Sequence, residues 1–130
     1  MFYLIILFPV LAFAQTEIET KKVNFEKGKS ETTIKGTLKG DQIIDYILTA
    51  NKDQVINVKF TATNTANYFN LMSPGEEYVA YYNSSMDENY YEGKLEKSGD
   101  QKIRVYLMRS AARINESSTF TIEVSIASGN

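Results

Sequence analysis

Two arginines that stand four residues apart are the strongest binding signal in this chain. Residues 103–107 alternate apolar and polar side chains, which is typical of a half-buried β-strand. Arg109 and Arg113 follow, separated only by Ser-Ala-Ala and without the Gly or Asn of a tight hairpin turn. The pattern predicts a short connection of one or two helical turns, whose small residues leave both guanidinium groups free to project as a presented binding element.

On composition alone, a solvated loop with ordinary surface charges is the favoured explanation of these positions. Arg109 is two residues after Leu107 and so falls on the same side of the chain as the apolar residues of the strand. Its side chain is therefore expected on the core side, at the end of the strand. Because a guanidinium group is not buried without a partner, it must either meet an internal carboxylate such as Asp45 or extend from the rim of the domain.

Two side-chain types on which many catalytic and metal sites depend are absent. The chain has no His and no Cys, which excludes Ser-His-Asp and Cys-His catalysis and metal sites built on imidazole or thiolate. Its acidic residues fall mainly in turns, where Asp commonly binds the local backbone. The net charge is -2, and no basic patch or Gly-rich phosphate loop occurs, which argues against nucleic-acid binding. We therefore expect a binding protein that is not an enzyme and has no metal or other cofactor.

The elements that must position the arginines are short strands separated by turn signals. Turns are predicted at residues 39–41, 51–53, 73–75 and 97–100, and no window keeps a helical period over three turns. This spacing predicts an all-β fold, a jelly-roll-like antiparallel β-sandwich of about eight short strands, with a closed barrel as the alternative. Residues 15–22 are expected to form a loose leader, and residues 78–82 are expected to form a strand.

The N-terminus has the pattern of an export signal. Residues 2–14 form an uncharged apolar run that ends in Ala12-Phe13-Ala14, an A-x-A cleavage pattern. The alternatives are a buried first strand and a membrane anchor, although the run falls short of the roughly 20 residues that a spanning helix needs. We predict a signal peptide at residues 1–14, a single domain at residues 15–130, no membrane span, and a periplasmic or secreted location.

The segment RVYLMRSAARINE, between KSGDQKI and TFTIEVSI, resembles the C-terminal half of the periplasmic inhibitors of goose-type (g-type) lysozyme. GTLKGDQIIDYILTANKDQVINVKF and YFNLMSPG resemble the N-terminal half of that family in the same order. The resemblance implies an exported β-sandwich that binds a goose-type lysozyme in its substrate cleft through Arg109 and Arg113. It also implies a contact at Asp41, where related inhibitors can carry a tyrosine after the glycine. The nearby Tyr46 is included as a further candidate contact.

Two other functions remain open at this stage. The tyrosine pairs at residues 81–82 and 90–91 could serve a carbohydrate- or cell-wall-binding module, because one tyrosine of each pair should face outward. Ordinary packing of strands explains the same residues. The strand and turn pattern also fits an accessory module of an exported hydrolase.

Overall fold

A computed structural model describes residues 17–129, so the predicted signal peptide at residues 1–14 lies outside the described residues. The described chain forms nine strands and one short helix. Their bounds in chain order are β1 Ile18–Lys22, β2 Glu31–Lys39, β3 Ile43–Ala50, β4 Val55–Ala62, β5 Asn67–Met72, β6 Tyr82–Asn83, β7 Tyr90–Lys94, β8 Gly99–Leu107, α1 Arg109–Arg113 and β9 Ser117–Ala127.

The strands form two sheets that pack face to face. The first sheet has the order β1-β3-β8-β5-β6, and the second has the order β2-β9-β4-β7. All pairs are antiparallel except β1 with β3, which run parallel. The predicted all-β sandwich is confirmed, with nine strands in place of about eight. Each sheet keeps two edge strands, so the alternative of a closed barrel is wrong.

The core lies between the sheets and follows from the period-two alternation of the strands. In β8 and β9, every second residue is buried and its neighbours are not. Aromatic rings join the two layers: Tyr46 of β3 meets Phe120 of β9 at a centroid distance of 6.1 Å, and Phe69 of β5 meets Phe60 of β4 at 5.3 Å. The aromatic contacts and the aliphatic side chains around them hold the sheets together.

Two local expectations differ from the structure. Part of the expected leader is strand β1, which pairs with β3 while all five of its residues stay exposed. No buried face exists there to impose an alternating pattern on the sequence. Of residues 78–82, only Tyr82 is in a strand, and Tyr78 is 88% exposed. The rest of that segment is irregular.

A buried ion pair fixes this irregular segment to the outer face of the first sheet. Asp45 is 3% exposed and accepts two hydrogen bonds from Arg104, at 2.8 Å from Nε and 3.0 Å from Nη2. Arg104 also donates to the carbonyl oxygen of Glu77 at 3.0 Å, and Lys102 donates to that of Glu76 at 3.1 Å. The hydrogen bond that Arg104 donates to the Asp45 carboxylate raises the pKa of Arg104. The internal carboxylate is therefore taken by Arg104, and Arg109 is not its partner.

Candidate functional site

Helix α1 carries both predicted arginines, as the sequence indicates. It is a single short turn in which Ala112 donates its backbone N–H to the carbonyl of Met108 at 2.9 Å. Ala111 is buried and anchors the turn to the domain, while Arg109 and Arg113 are exposed. Residues four apart lie on the same side of a helix, so the two guanidinium groups project together.

The charges of these two arginines are available to an external partner. Neither side chain takes part in the ion pairs formed within residues 17–129. The residues that flank the helix add exposed apolar surface, with Met108 at 43% exposure and Ile114 at 71%. A guanidinium group binds a carboxylate through two parallel hydrogen bonds, so the helix can bind an anionic surface that has apolar walls.

Asp41 and Arg109 lie at the same pocket. Asp41 belongs to the turn between β2 and β3, and it lines a pocket of about 430 Å³ that the start of α1 also lines. The floor is largely aromatic and apolar. The lining residues are Asp41, Gln42, Ile43, Tyr68, Ser85, Tyr106, Leu107, Met108, Arg109 and Ala112. The structure thus places two of the four sequence-predicted residues, Asp41 and Arg109, at one pocket, and Arg113 lies on the same helix as Arg109.

Tyr46 does not join them. It is 3% exposed and lies in the core, where its ring packs edge-on against Phe120. Burial and the negative charge of Glu19 raise the pKa of the Tyr46 hydroxyl. Tyr46 shares the inward parity of Ile44 and Leu48 along β3. The expectation of a contact at Tyr46 is therefore corrected, since a partner at the surface cannot reach this side chain.

The turn before β3 supports the C-terminal end of the helix. Gly40 donates its N–H to the carbonyl of Glu116 at 2.9 Å and has a φ of 61°. A Cβ at Gly40 would lie 2.4 Å from Oδ1 of Asn115, which is closer than atoms can approach. Asn115 itself has a φ of 59°. Glycine at this position therefore permits the close contact between the turn and the segment that ends α1.

Each tyrosine pair divides between surface and core, although Tyr81 precedes strand β6 and only Tyr82 belongs to it. Tyr81 and Tyr90 face outward, while Tyr82 and Tyr91 pack against the core. The rings of Tyr82 and Tyr91 lie 4.8 Å apart, and Tyr81 contacts Tyr91 at 5.7 Å. The cluster is packed on itself, which fits the structural explanation of these residues.

Nothing in the sequence indicated that Tyr68 and Tyr106 line this pocket. Tyr68 of β5 and Tyr106 of β8 point to the outer face of the first sheet. Only the pairing of these two strands places both side chains at the pocket.

Within residues 17–129, no group of three or more acidic side chains is placed to hold a metal ion. In the same part of the chain, no helix has the length and apolarity to cross a membrane.

Known structures with this fold decide the family. The chain is similar to PliG, a periplasmic lysozyme inhibitor of g-type lysozyme, from Aeromonas hydrophila. The two share 33% sequence identity over 85% of this chain and 97% of the other, with a TM-score of 0.79. This chain belongs to the PliG family.

Other PliG proteins are more distant. PliG from Salmonella Typhimurium is 26% identical, covers 83% of this chain and 97% of its own, and gives a TM-score of 0.63. A mutant of PliG from Escherichia coli is also 26% identical, with coverages of 84% and 97% and a TM-score of 0.62. A pre-peptidase C-terminal domain of a Bacillus anthracis collagenase, at 19% identity and a TM-score of 0.54, shares the fold alone.

The comparisons of sequence, unlike the comparison of structures, found no match. No family model matches the chain. No curated protein matches it either.

Proposed function

We propose that this protein inhibits a g-type lysozyme by placing helix α1 in the substrate cleft of the enzyme. The observation that carries the proposal is a pair of exposed guanidinium groups on one side of a supported helix, in a chain of the PliG family. The inhibitor acts by occupying the cleft and catalyses no reaction itself.

The chemistry of a muramidase cleft suits this helix. Glycoside hydrolases commonly use carboxyl groups to protonate the leaving oxygen and to stabilise the developing charge. Arg109 or Arg113 in such a cleft binds a carboxylate with two charge-assisted hydrogen bonds. The arginine then excludes the glycan and holds the carboxyl group in an ion pair that cannot donate a proton to the substrate.

Asp41 is proposed as a contact at the rim. It shares the pocket with Arg109 and faces solvent, so a donor on the lysozyme surface beside the cleft can meet it. Related inhibitors can carry a tyrosine at this position, and an aspartate presents a negative charge in its place. The interface that we propose therefore has two cations on the helix and one anion at the adjacent turn.

Inhibition assays with purified g-type lysozyme test this proposal. The intact protein should inhibit with a one-to-one stoichiometry, and Arg109→Ala should weaken inhibition by more than tenfold. Loss of one partner of a buried charge pair at an interface costs about 2–5 kcal/mol, which is roughly 30- to 4,000-fold in affinity.

Lys59→Ala is the matched control. Lys59 is an exposed cation of β4 on the second sheet, and its loss removes the same charge away from α1. It should leave inhibition unchanged. Absence of inhibition by the intact protein at micromolar concentration would refute the proposal, and equal effects of the two substitutions would refute the role of the helix.

A further inference from the structure

Helix α1 is too short to hold its own orientation. It has five residues and no side-chain hydrogen bond at its N-cap, Met108. Isolated helices below about 12 residues are only marginally stable in water. The directions in which Arg109 and Arg113 point must therefore be set by contacts with the rest of the domain.

One loop contacts both ends of this helix. The loop at residues 63–66 joins β4 to β5, and the carbonyl oxygen of Ala66 accepts the backbone N–H of Met108 at 2.8 Å. At the other end, the side-chain amide of Asn64 donates to Oε1 of Glu116 at 2.8 Å and to the carbonyl oxygen of Ser117 at 3.2 Å. Residues that follow and precede the helix are thus tied to the same four-residue loop.

Asn64 is itself held in place. Its side-chain oxygen accepts the backbone N–H of Ala66 at 2.9 Å, and its own N–H donates to Oγ of Ser118 at 3.3 Å. These bonds fix which end of the side-chain amide faces the helix, because the oxygen is engaged within the loop and the NH₂ group faces Glu116. The bond to Glu116 joins an amide donor to a carboxylate, which is the stronger class of hydrogen bond.

We propose that Asn64 is a positioning residue for lysozyme binding. It holds the end of α1 so that both guanidinium groups keep the orientation in which they bind, and it makes no contact with the lysozyme itself. This inference rests on the proposed function. A binding element that is ordered before association loses less conformational entropy on binding, so loosening it lowers affinity without removing a contact.

A charge swap tests the inference. Asn64→Asp replaces the amide donor with a second carboxylate beside Glu116. The double variant, Asn64→Asp with Glu116→Gln, again pairs a side-chain amide with a carboxylate. The amide donor is then at position 116 and the carboxylate acceptor at position 64. Thr65→Asp is the matched control, because it adds the same charge at an exposed position of the same loop.

Two measurements are made on each variant. The first is the dissociation constant for an immobilised g-type lysozyme. The second is hydrogen exchange at the backbone amides of Ala112, Asn115 and Glu116 in the protein without lysozyme. Loss of one hydrogen bond to a charged group predicts an increase of about tenfold in the dissociation constant of Asn64→Asp. Exchange should accelerate in the same variant.

The double variant should recover to within about threefold of the wild-type dissociation constant, while Thr65→Asp stays within about twofold. The inference is overturned if Asn64→Asp binds and exchanges like the wild type, if the double variant is no better than the single one, or if Thr65→Asp weakens binding equally. If the wild-type protein binds no g-type lysozyme, the proposed function fails together with the role of Asn64 in binding. The exchange rates then still report whether Asn64 orders the helix.

Discussion

At the scale of single residues, three arginines that lie within ten positions of one another differ in burial and pairing. Arg104 lies opposite Asp45 in the register of β3 with β8, so its guanidinium group is paired and largely buried. Arg109 and Arg113 follow the end of the same strand and have no carboxylate across from them in a sheet. Removal of one partner of the buried pair would leave a charge without compensation, whereas the two exposed arginines are available for binding.

Burial of tyrosine hydroxyls makes stability fall at high pH. Burial, and then the negative charge of Glu96, raise the pKa of Tyr91. Burial likewise raises the pKa of Tyr82. Because tyrosine in an unfolded chain ionises near pH 10, the unfolded state loses its protons first. The stabilisation by the protonated hydroxyl is complete below about pH 10 and is lost as the pH rises through the folded pKa.

Tyr91→Phe tests this prediction, because the substitution removes the hydroxyl and leaves the ring. The free energy of unfolding, measured in urea between pH 8 and pH 11.5, should fall less steeply above about pH 10 in the variant than in the wild type. Below that pH the two curves should run parallel. Identical slopes across the whole range would show that Tyr91 does not contribute.

At the scale of elements, the site depends on contacts among three connections between strands. The turn between β2 and β3 meets the segment between α1 and β9, and the loop between β4 and β5 meets that segment from another direction. None of these connections has a regular structure that would orient the helix alone. Their mutual hydrogen bonds give α1 a single position on the domain.

Gly40→Ala should destabilise the protein and weaken lysozyme inhibition. The backbone at Gly40 is left-handed, and the added Cβ would collide with Asn115. Gly28→Ala is the matched control, because Gly28 has a φ of 81° and nothing within 4 Å of the added atom.

The control isolates the cost of the left-handed backbone, which is about 1–2 kcal/mol. We expect Gly40→Ala to lower the free energy of unfolding by more than Gly28→Ala and, unlike it, to reduce inhibition. Urea unfolding and inhibition assays of the two variants check this. Equal losses in both would mean that the approach of Asn115 imposes no constraint.

At the scale of the whole molecule, the sandwich has a packed core and no covalent cross-link. The chain has no cysteine, so no disulfide can support the fold. The two sheets enclose a continuous cluster of buried apolar residues with aromatic contacts between the layers. A core of this kind is sufficient for a domain of about 100 residues.

We also propose that the mature protein begins at Gln15, after removal of residues 1–14. The apolar run and the Ala12-Phe13-Ala14 pattern support this, and a periplasmic or secreted location places the inhibitor where lysozyme reaches the cell. N-terminal sequencing of the protein recovered from the periplasm or the medium of a Gram-negative host should start at Gln15. Recovery of the protein with Met1 intact, in the cytoplasm, would contradict the prediction.

The sequence by itself determined the fold class and the arginine element. Period-two alternation requires one buried face for each strand, so β8 and β9 are visible in the order of residues alone. The small residues between Arg109 and Arg113 indicate the short helix, and the lack of His and Cys directs the interpretation toward binding. These features are local or compositional, which is why no tertiary information is needed to find them.

The tertiary structure decided what depends on residues that are distant in the chain. Strand β1 has no buried face and is defined only by its partner β3. Asp45 meets Arg104 across 59 residues, and Asn64 meets Glu116 across 52. The pairing of strands determined that Tyr46 of β3 faces the core. It also determined which loop contacts helix α1. Strand register places such residues side by side, and no spacing within a single segment encodes it.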